Sequence, residues 1–207
     1  MKSLAAPEEV LAFWFADALH DPAKAMRRMA FWFESSRETD ERVAERFAPL
    51  IEAASAGRLA GWEALPHSRL ALVIVVDQFP RNVHRGTPAA FQHDAPALAM
   101  AKRGVAAGDL SVLKTIEQAF LLMPFQHCED LACQREGVAL FERMTRDAPQ
   151  EWRGVAEENL KYARLHLEII ERFGRFPHRN AILGRASTPE ETQYLQSNSQ
   201  SFGQSVQ

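Results

Sequence analysis

Apolar residues recur at helical spacing from Val10 to Phe173, and no run alternates apolar and polar residues two by two. Spacings of three and four stack side chains on one face of a helix, whereas a half-buried strand needs a period of two. The chain is therefore read as all-α. Candidate helices cover roughly 7–19, 23–34, 37–56, 67–79, 95–107, 110–123, 128–146, 150–173 and 189–196, with ends set to within about 2–4 residues. Gly57, Gly108 and Gly174 stand where helices should stop, and Pro124 interrupts an apolar run.

With 207 residues, 46% of them hydrophobic, the chain can bury a substantial core. The simplest organisation is a single all-helical domain over 1–196 followed by a disordered polar tail over 197–207. Ala-Phe-Trp-Phe occurs at 12–15 and again at 30–33. Neither copy has polar chemistry beside it, so both are expected to anchor a helix pair in the core.

A net charge of −3 argues against a partner such as nucleic acid, whose affinity rests on neutralising phosphates. The strongest apolar run, 70–76, is seven residues long, against about 20 for a membrane-crossing helix, so no membrane partner is expected. Pro7, Glu8 and Glu9 break the order of a secretory signal, which points to a cytoplasmic protein. Cys128 and Cys133 are five apart and would lie on different faces of a helix, so they read as free thiols. No metal site and no cofactor are inferred.

Two segments share one vocabulary: FPRNVHRGTP at 79–88 and FPHRNAILGRASTP at 176–189. Pro80 and Pro177 disfavour continued helix, Asn82 and Asn180 tolerate left-handed backbone, and Gly86 and Gly184 permit a turn. Thr188-Pro189-Glu190-Glu191 then restarts a helix, with Thr at the cap, Pro at the first helical position and Glu three after the cap. Turn chemistry leaves the charge unexplained. Arg172, Arg175, Arg179 and Arg185 fall within fourteen residues that contain no acid, and the first connector adds Arg81, His84 and Arg85. Either these cations cap helix carbonyls and pair with distant carboxylates, or they form an anion site, since guanidinium forks suit carboxylate and phosphate.

Asp77 shares a helical stripe with Leu70, Val73, Ile74 and Arg81, so it should be buried and paired with Arg81. His166 falls in or beside the stripe of Ala163, Leu167, Ile170 and Phe173 and should also face inward. After the Pro124 break, His127, Glu129 and Asp130 are read as the start of a helix, with the acids complementing its dipole and the His able to reach a cleft.

Three blocks, DQFPRNVHRGTPAAF from Asp77, PFQHCEDL from Pro124 and RFGRFPHRNAILGRASTPEE from Arg172, together with the early FWF segments and Trp62, carry a resemblance. The chain resembles an uncharacterised, largely bacterial family, the domain-of-unknown-function family numbered nine hundred and twenty-four. The second block departs from the family pattern, which has serine where Cys128 stands and an acid near Cys133. The resemblance implies a tetratricopeptide-like stack of antiparallel helix pairs wound into a right-handed superhelix. It implies no established activity.

The functional expectation is a pocket lined by Arg, His and Asn that takes a small anionic ligand, a phosphate or carboxylate compound. Arg81, Arg85, Arg175, Arg179 and Arg185 would supply charge, Asn82 and Asn180 the turns, and Asp77 and Glu129 the orientation of the basic groups. Were a reaction catalysed, His127, His166 or His178 would be its acid or base. Two rival readings remain open: a helical module that binds an acidic peptide or protein partner, and connectors that only lock the bundle. The sequence names neither a reaction nor an oligomeric state.

Overall fold

The computed structural model describes residues 4–197, and no strand occurs among them. The protein is all-α. The polar tail expected over 197–207 lies outside the described residues except for Ser197.

The chain opens with α1 (Pro7–Phe15), α2 (Pro22–Phe33) and α3 (Arg37–Ser55). Asp21 caps α2 by accepting from the N–H groups of Ala23 and Lys24, and Ser36 caps α3 through the N–H of Thr39. The repeated aromatic segments meet as expected. Trp14 lies 5.6 Å from Phe31 and Phe15 lies 6.2 Å from Trp32, while Trp32 reaches Phe120 at 4.9 Å. Trp32 Nε1 and Arg28 Nε both donate to the Trp14 carbonyl, which closes the C-terminal end of α1.

Through the middle runs a continuous rod: α4 (Pro66–Val73), a π turn (Ile74–Gln78) and α5 (Phe79–Val83). Every residue from Arg69 to Pro80 is buried. A helix with no polar face belongs in the centre of a fold, and this one supplies that centre. The rod also corrects the expectation that Pro80 ends the helix. The Phe79 N–H bonds to the Ile74 carbonyl, five residues back, so the turn before the proline is wider than an α turn. Proline normally crowds the carbonyl four residues behind it, and the wider turn makes room. The helix then ends at His84, and Gly86 takes the expected left-handed conformation with φ +74°.

Four further helices follow: α6 (Asp94–Ala107), α7 (Thr115–His127), α8 (Leu131–Asp147) and α9 (Arg153–Phe173). Each packs on the next, and α2 touches α9 across the molecule. Both ends of α7 differ from the sequence reading. Helix α7 begins five residues later than expected, because buried Asp109 is tied to Arg69 in a short turn and Glu117 caps the Lys114 N–H at 2.9 Å. It also runs through Pro124 to His127. Its residues Ala119 to Gln126 are all buried, and that packing overrides a proline that would end an exposed helix. The last helix, α10 (Pro189–Ser197), starts with the expected capping box: Thr188 N–H to Glu191 Oε2 at 2.7 Å and Glu191 N–H to Thr188 Oγ1 at 3.1 Å. No helix among the described residues is long and apolar enough to cross a membrane.

Helices α7 and α8 approach closely at Gly137, where an added Cβ would lie 2.7 Å from Cβ of Phe125. Gly137→Ala should therefore lower stability by about 1–3 kcal/mol despite the better helix propensity of alanine. Gly154→Ala, within α9 and with nothing within 4 Å of the new methyl, should raise it by about 0.5–1 kcal/mol. Urea denaturation midpoints of the two variants check both signs.

Candidate functional site

A cleft of about 510 Å³ opens beside the rod. One wall is α2, with Met26, Met29, Trp32 and Phe33; the opposite wall is α9, with Asn159, Tyr162 and His166. Polar lining comes from Gln78, Arg81, Asn82 and Arg85 of the rod and the turn after it, Gln126 and His127 at the end of α7, and His178 and Arg179 of the second connector. The two connectors thus contribute to one cavity.

Asp77 lies behind this lining with no exposed surface. Its Oδ1 meets His127 Nδ1 at 2.7 Å, its Oδ2 accepts from Gln78 Nε2 at 2.6 Å, and Arg81 Nη1 stands 3.5 Å from Oδ1. Burial by itself would raise the Asp77 pKa. The neighbouring His127 and Arg81, with the two hydrogen bonds, outweigh burial and hold it down to about 2. The expectation of a buried, paired Asp77 holds. Its burial comes from a rod enclosed on every side, not from one inward stripe, and the basic side chain nearest its carboxylate is His127 rather than Arg81.

The junction between connectors is Asp94, at the first position of α6. Its Oδ1 pairs with Arg81 Nη2 at 2.9 Å and its Oδ2 accepts from Arg179 Nη1 at 3.0 Å. The Arg179 guanidinium is further held between the Phe91 and Phe176 rings, 4.5 and 4.6 Å from their centres. At Arg179 burial disfavours the charge more than Asp94 restores it, whereas Arg81 has two carboxylates and its pKa rises despite burial. Arg85 forms a fork on Asp40, through Nε at 2.6 Å and Nη2 at 2.7 Å, and Asn82 Nδ2 donates to the same carboxylate at 2.8 Å.

Other candidates lie outside the lining. Glu129 does not orient the basic groups of the cleft. It accepts the Phe176 N–H at 2.7 Å and a two-pronged bond from Arg185 at 2.6 and 2.9 Å. Arg175 grips Glu191 through Nε at 2.6 Å and Nη2 at 2.8 Å, which holds that carboxyl down to about 2. Asn180 Nδ2 donates to Glu191 and to Ser187. These four residues lock the second connector. Both asparagines also differ from expectation in backbone: Ala16 is the only described non-glycine residue with positive φ, so Asn82 and Asn180 act through their amides. The acid-free arginine run proves compensated over distance, and Arg172 too finds Glu190 at 2.8 Å.

His127 closes α7 rather than opening α8, whose cap is Asp130, accepting from the Cys133 N–H at 2.8 Å. Burial and Arg81 lower the His127 pKa, with Asp77 opposing them. The ring is therefore neutral at pH 7, with Nδ1–H donated to Asp77. Burial pushes His166 and His178 each to about 3, helped by the nearby arginines, while Nδ1 of His166 donates to the Tyr162 carbonyl at 2.7 Å. Among the described residues, no group of three or more His, Cys, Asp and Glu is placed to hold a metal ion. Cys128 and Cys133 are free thiols, and a hydrogen bond from Cys133 lowers the Cys128 pKa to about 7.

The family model described as a bacterial protein of unknown function (DUF924) matches residues 10–199. The chain belongs to the DUF924 family. It is also similar to a solved structure, that of the protein of unknown function ATU0120 from Agrobacterium tumefaciens. That similarity covers 93% of this chain and 97% of the other at 33% identity, with a TM-score of 0.78. No curated protein matches the chain.

In this DUF924 member the sequence reading missed Asp94, Gln78, Gln126 and Asn159. Asp94 carried a signal, since it is the first acid after the first connector, but an acid opening a helix already has an explanation in the dipole.

The neutral histidines tie stability to pH. A His whose folded pKa lies below its unfolded value stabilises the fold above the unfolded pKa and loses that contribution as pH falls toward the folded one. With His166 and His178 near 3, stability should be flat above about pH 7 and fall from about pH 6.5 downward, each ring contributing up to about 1.4 kcal/mol per pH unit. Asp77 adds to the loss only below about pH 4. Denaturant midpoints across pH 4–8 measure the slope, which His178→Gln should reduce by one ring's share.

Proposed function

We propose that the cleft binds a small organic compound carrying one negative charge and an apolar body, such as a monocarboxylate. The observation that carries this reading is the split character of the cavity. Its polar lining residues Arg81, Arg179 and His178 are mostly buried, while Met26, Phe33 and Tyr162 at the α2 and α9 walls keep 44%, 40% and 39% of their surface exposed. Large side chains grouped beside a polar cavity favour a ligand that covers them. The volume suits a metabolite-sized molecule.

Charge count sets the preferred ligand. Arg81, Arg85 and Arg179 are matched by Asp77, Asp94 and Asp40, Glu158 in the lining is paired with Lys161, Glu34 adds one further carboxylate, and the histidines are neutral. A monocarboxylate adds one negative charge to this balance and can share the guanidinium N–H groups, whereas a phosphate dianion adds two. The two free thiols fit a reducing compartment, which favours a cytoplasmic address. The consecutive packing of α6 to α9 favours the tetratricopeptide-like stacking of helix pairs. The same exposed trio also suits an apolar side chain of an acidic peptide, the second reading.

Titration calorimetry with hexanoate, hexanol and inorganic phosphate tests the proposal. Hexanoate should bind best, and at about 100 times its dissociation constant should add roughly 2.7 kcal/mol of stability. Phe33→Ala should weaken it several-fold without changing the melting temperature by more than a degree or two. Arg179→Lys keeps the charge but loses the planar fork, and should weaken it by about tenfold. Absence of hexanoate binding would refute the small-ligand reading and favour a peptide partner.

A further inference from the structure

The arrangement around Asp77 is more than a buried ion pair. A carboxylate with no exposed surface holds one nitrogen of an imidazole whose other face lines a cavity. Asp77 is itself held from two sides, by Gln78 Nε2 on Oδ2 and by Arg81 near Oδ1. Its Nδ1–H bond fixes the His127 tautomer, so the lone pair resides on Nε2. No described residue hydrogen-bonds to that nitrogen. Asp77 also sits in the π turn, a local departure from α geometry that is frequent at functional sites. The cleft lining contains no serine, threonine or cysteine, and the hydroxyl it does hold, the Tyr162 phenol, is a poor acyl acceptor, so a base there is left with water to activate.

We infer that His127, positioned by Asp77, is the general base of a hydrolytic site that cleaves carboxylic esters of apolar acids by activating water. The proposal rests on the cleft reading above and adds chemistry to it. His127 Nε2 takes a proton from a bound water as the water oxygen forms a bond to the acyl carbon. The bond from that carbon to the alcohol oxygen then breaks, and the proton on Nε2 passes to the leaving oxygen. Products are the carboxylic acid and the alcohol, water is the co-reactant, and nothing is oxidised or reduced. Asp77 stabilises the imidazolium that exists between the two transfers. Arg81 is placed to offset the negative charge that develops on the carbonyl oxygen. The carboxylate product is the ligand class proposed for the cleft.

The groups that face His127 come from three elements: Asp77 and Arg81 on the rod, Asp94 on α6, and His166 on α9, whose ring centre is 6.4 Å away. Their sum fixes the acid limb of the rate profile below the ordinary His value. Asp77 is the neighbour that most raises the His127 pKa, so replacing it with Asn should move that limb to lower pH as well as slow the reaction.

The experiment is hydrolysis of 4-nitrophenyl hexanoate by the full chain, with hexanoate as competitor. Saturable turnover is expected, with an acid limb below pH 6.5. His127→Gln should reduce kcat by at least about 100-fold with KM little changed. Asp77→Asn, which keeps the shape but exchanges one acceptor oxygen for an NH2 donor and removes the charge, should reduce kcat by at least tenfold and shift the limb downward, a pH shift that a merely structural role would not produce. Should His127→Gln fail to fold, the wild type still provides a test. With its free thiols, Cys128 and Cys133, first capped by methyl methanethiosulfonate, bromoacetate should alkylate His127 Nε2, releasing bromide, and inactivation should follow that modification and be prevented by hexanoate. Turnover equal in wild type and folded His127→Gln, or turnover that survives His127 alkylation, would overturn the inference. So would hexanoate binding without any turnover, which would leave the cleft reading intact. If hexanoate does not bind at all, the cleft reading fails first and the catalytic inference with it.

Discussion

Asp77 is an ionised group in a place where water cannot reach it, and the surrounding helices are arranged around that fact. Moving a carboxylate out of water costs several kcal/mol unless paired charges and hydrogen bonds replace its hydration. Here the replacements come from its own helix, through Gln78 and Arg81, and from the end of α7, through His127. The last of these requires α7 to finish beside the rod. That in turn requires α7 to pass through Pro124 instead of stopping there, and the dense packing of its buried residues makes the passage possible. Arg81 extends the network by engaging Asp94, and Asp94 engages Arg179, so one buried charge is linked through two more pairs to a segment a hundred residues away.

The second connector divides its labour along its length. One set of residues is spent on fixing the loop: Arg185 on Glu129, Arg175 and Asn180 on Glu191, and the Phe176 N–H on Glu129. Another set, His178 and Arg179, lines the cleft. The first set permits the second, because a loop held by several charge-assisted bonds presents a guanidinium in one place, at less entropic cost on binding than a mobile arginine would bring. Arg179 pays for its position with burial, which makes it part of the core as well as part of the cleft.

Local features were legible from the chain alone. The 3.6-residue period placed the helices, and Gly108, Gly174 and the Thr188–Glu191 capping box placed several of their ends, because these effects act between residues about four apart. The two basic connectors were likewise visible as composition, and the burial of Asp77 followed from the apolar run around it. Tertiary structure alone decided the partners. Arg85 with Asp40, Arg179 with Asp94 and Arg185 with Glu129 join residues 45, 85 and 56 positions apart. Sequence could not mark Pro80 and Pro124 as continuing helix either, since that depends on a wider turn in one case and on neighbouring helices in the other. The physical reason is common to all of these: a turn or a cap is settled by nearby backbone, whereas a charge selects whichever opposite charge is desolvated with it, and only the packed fold determines which residues lose water together.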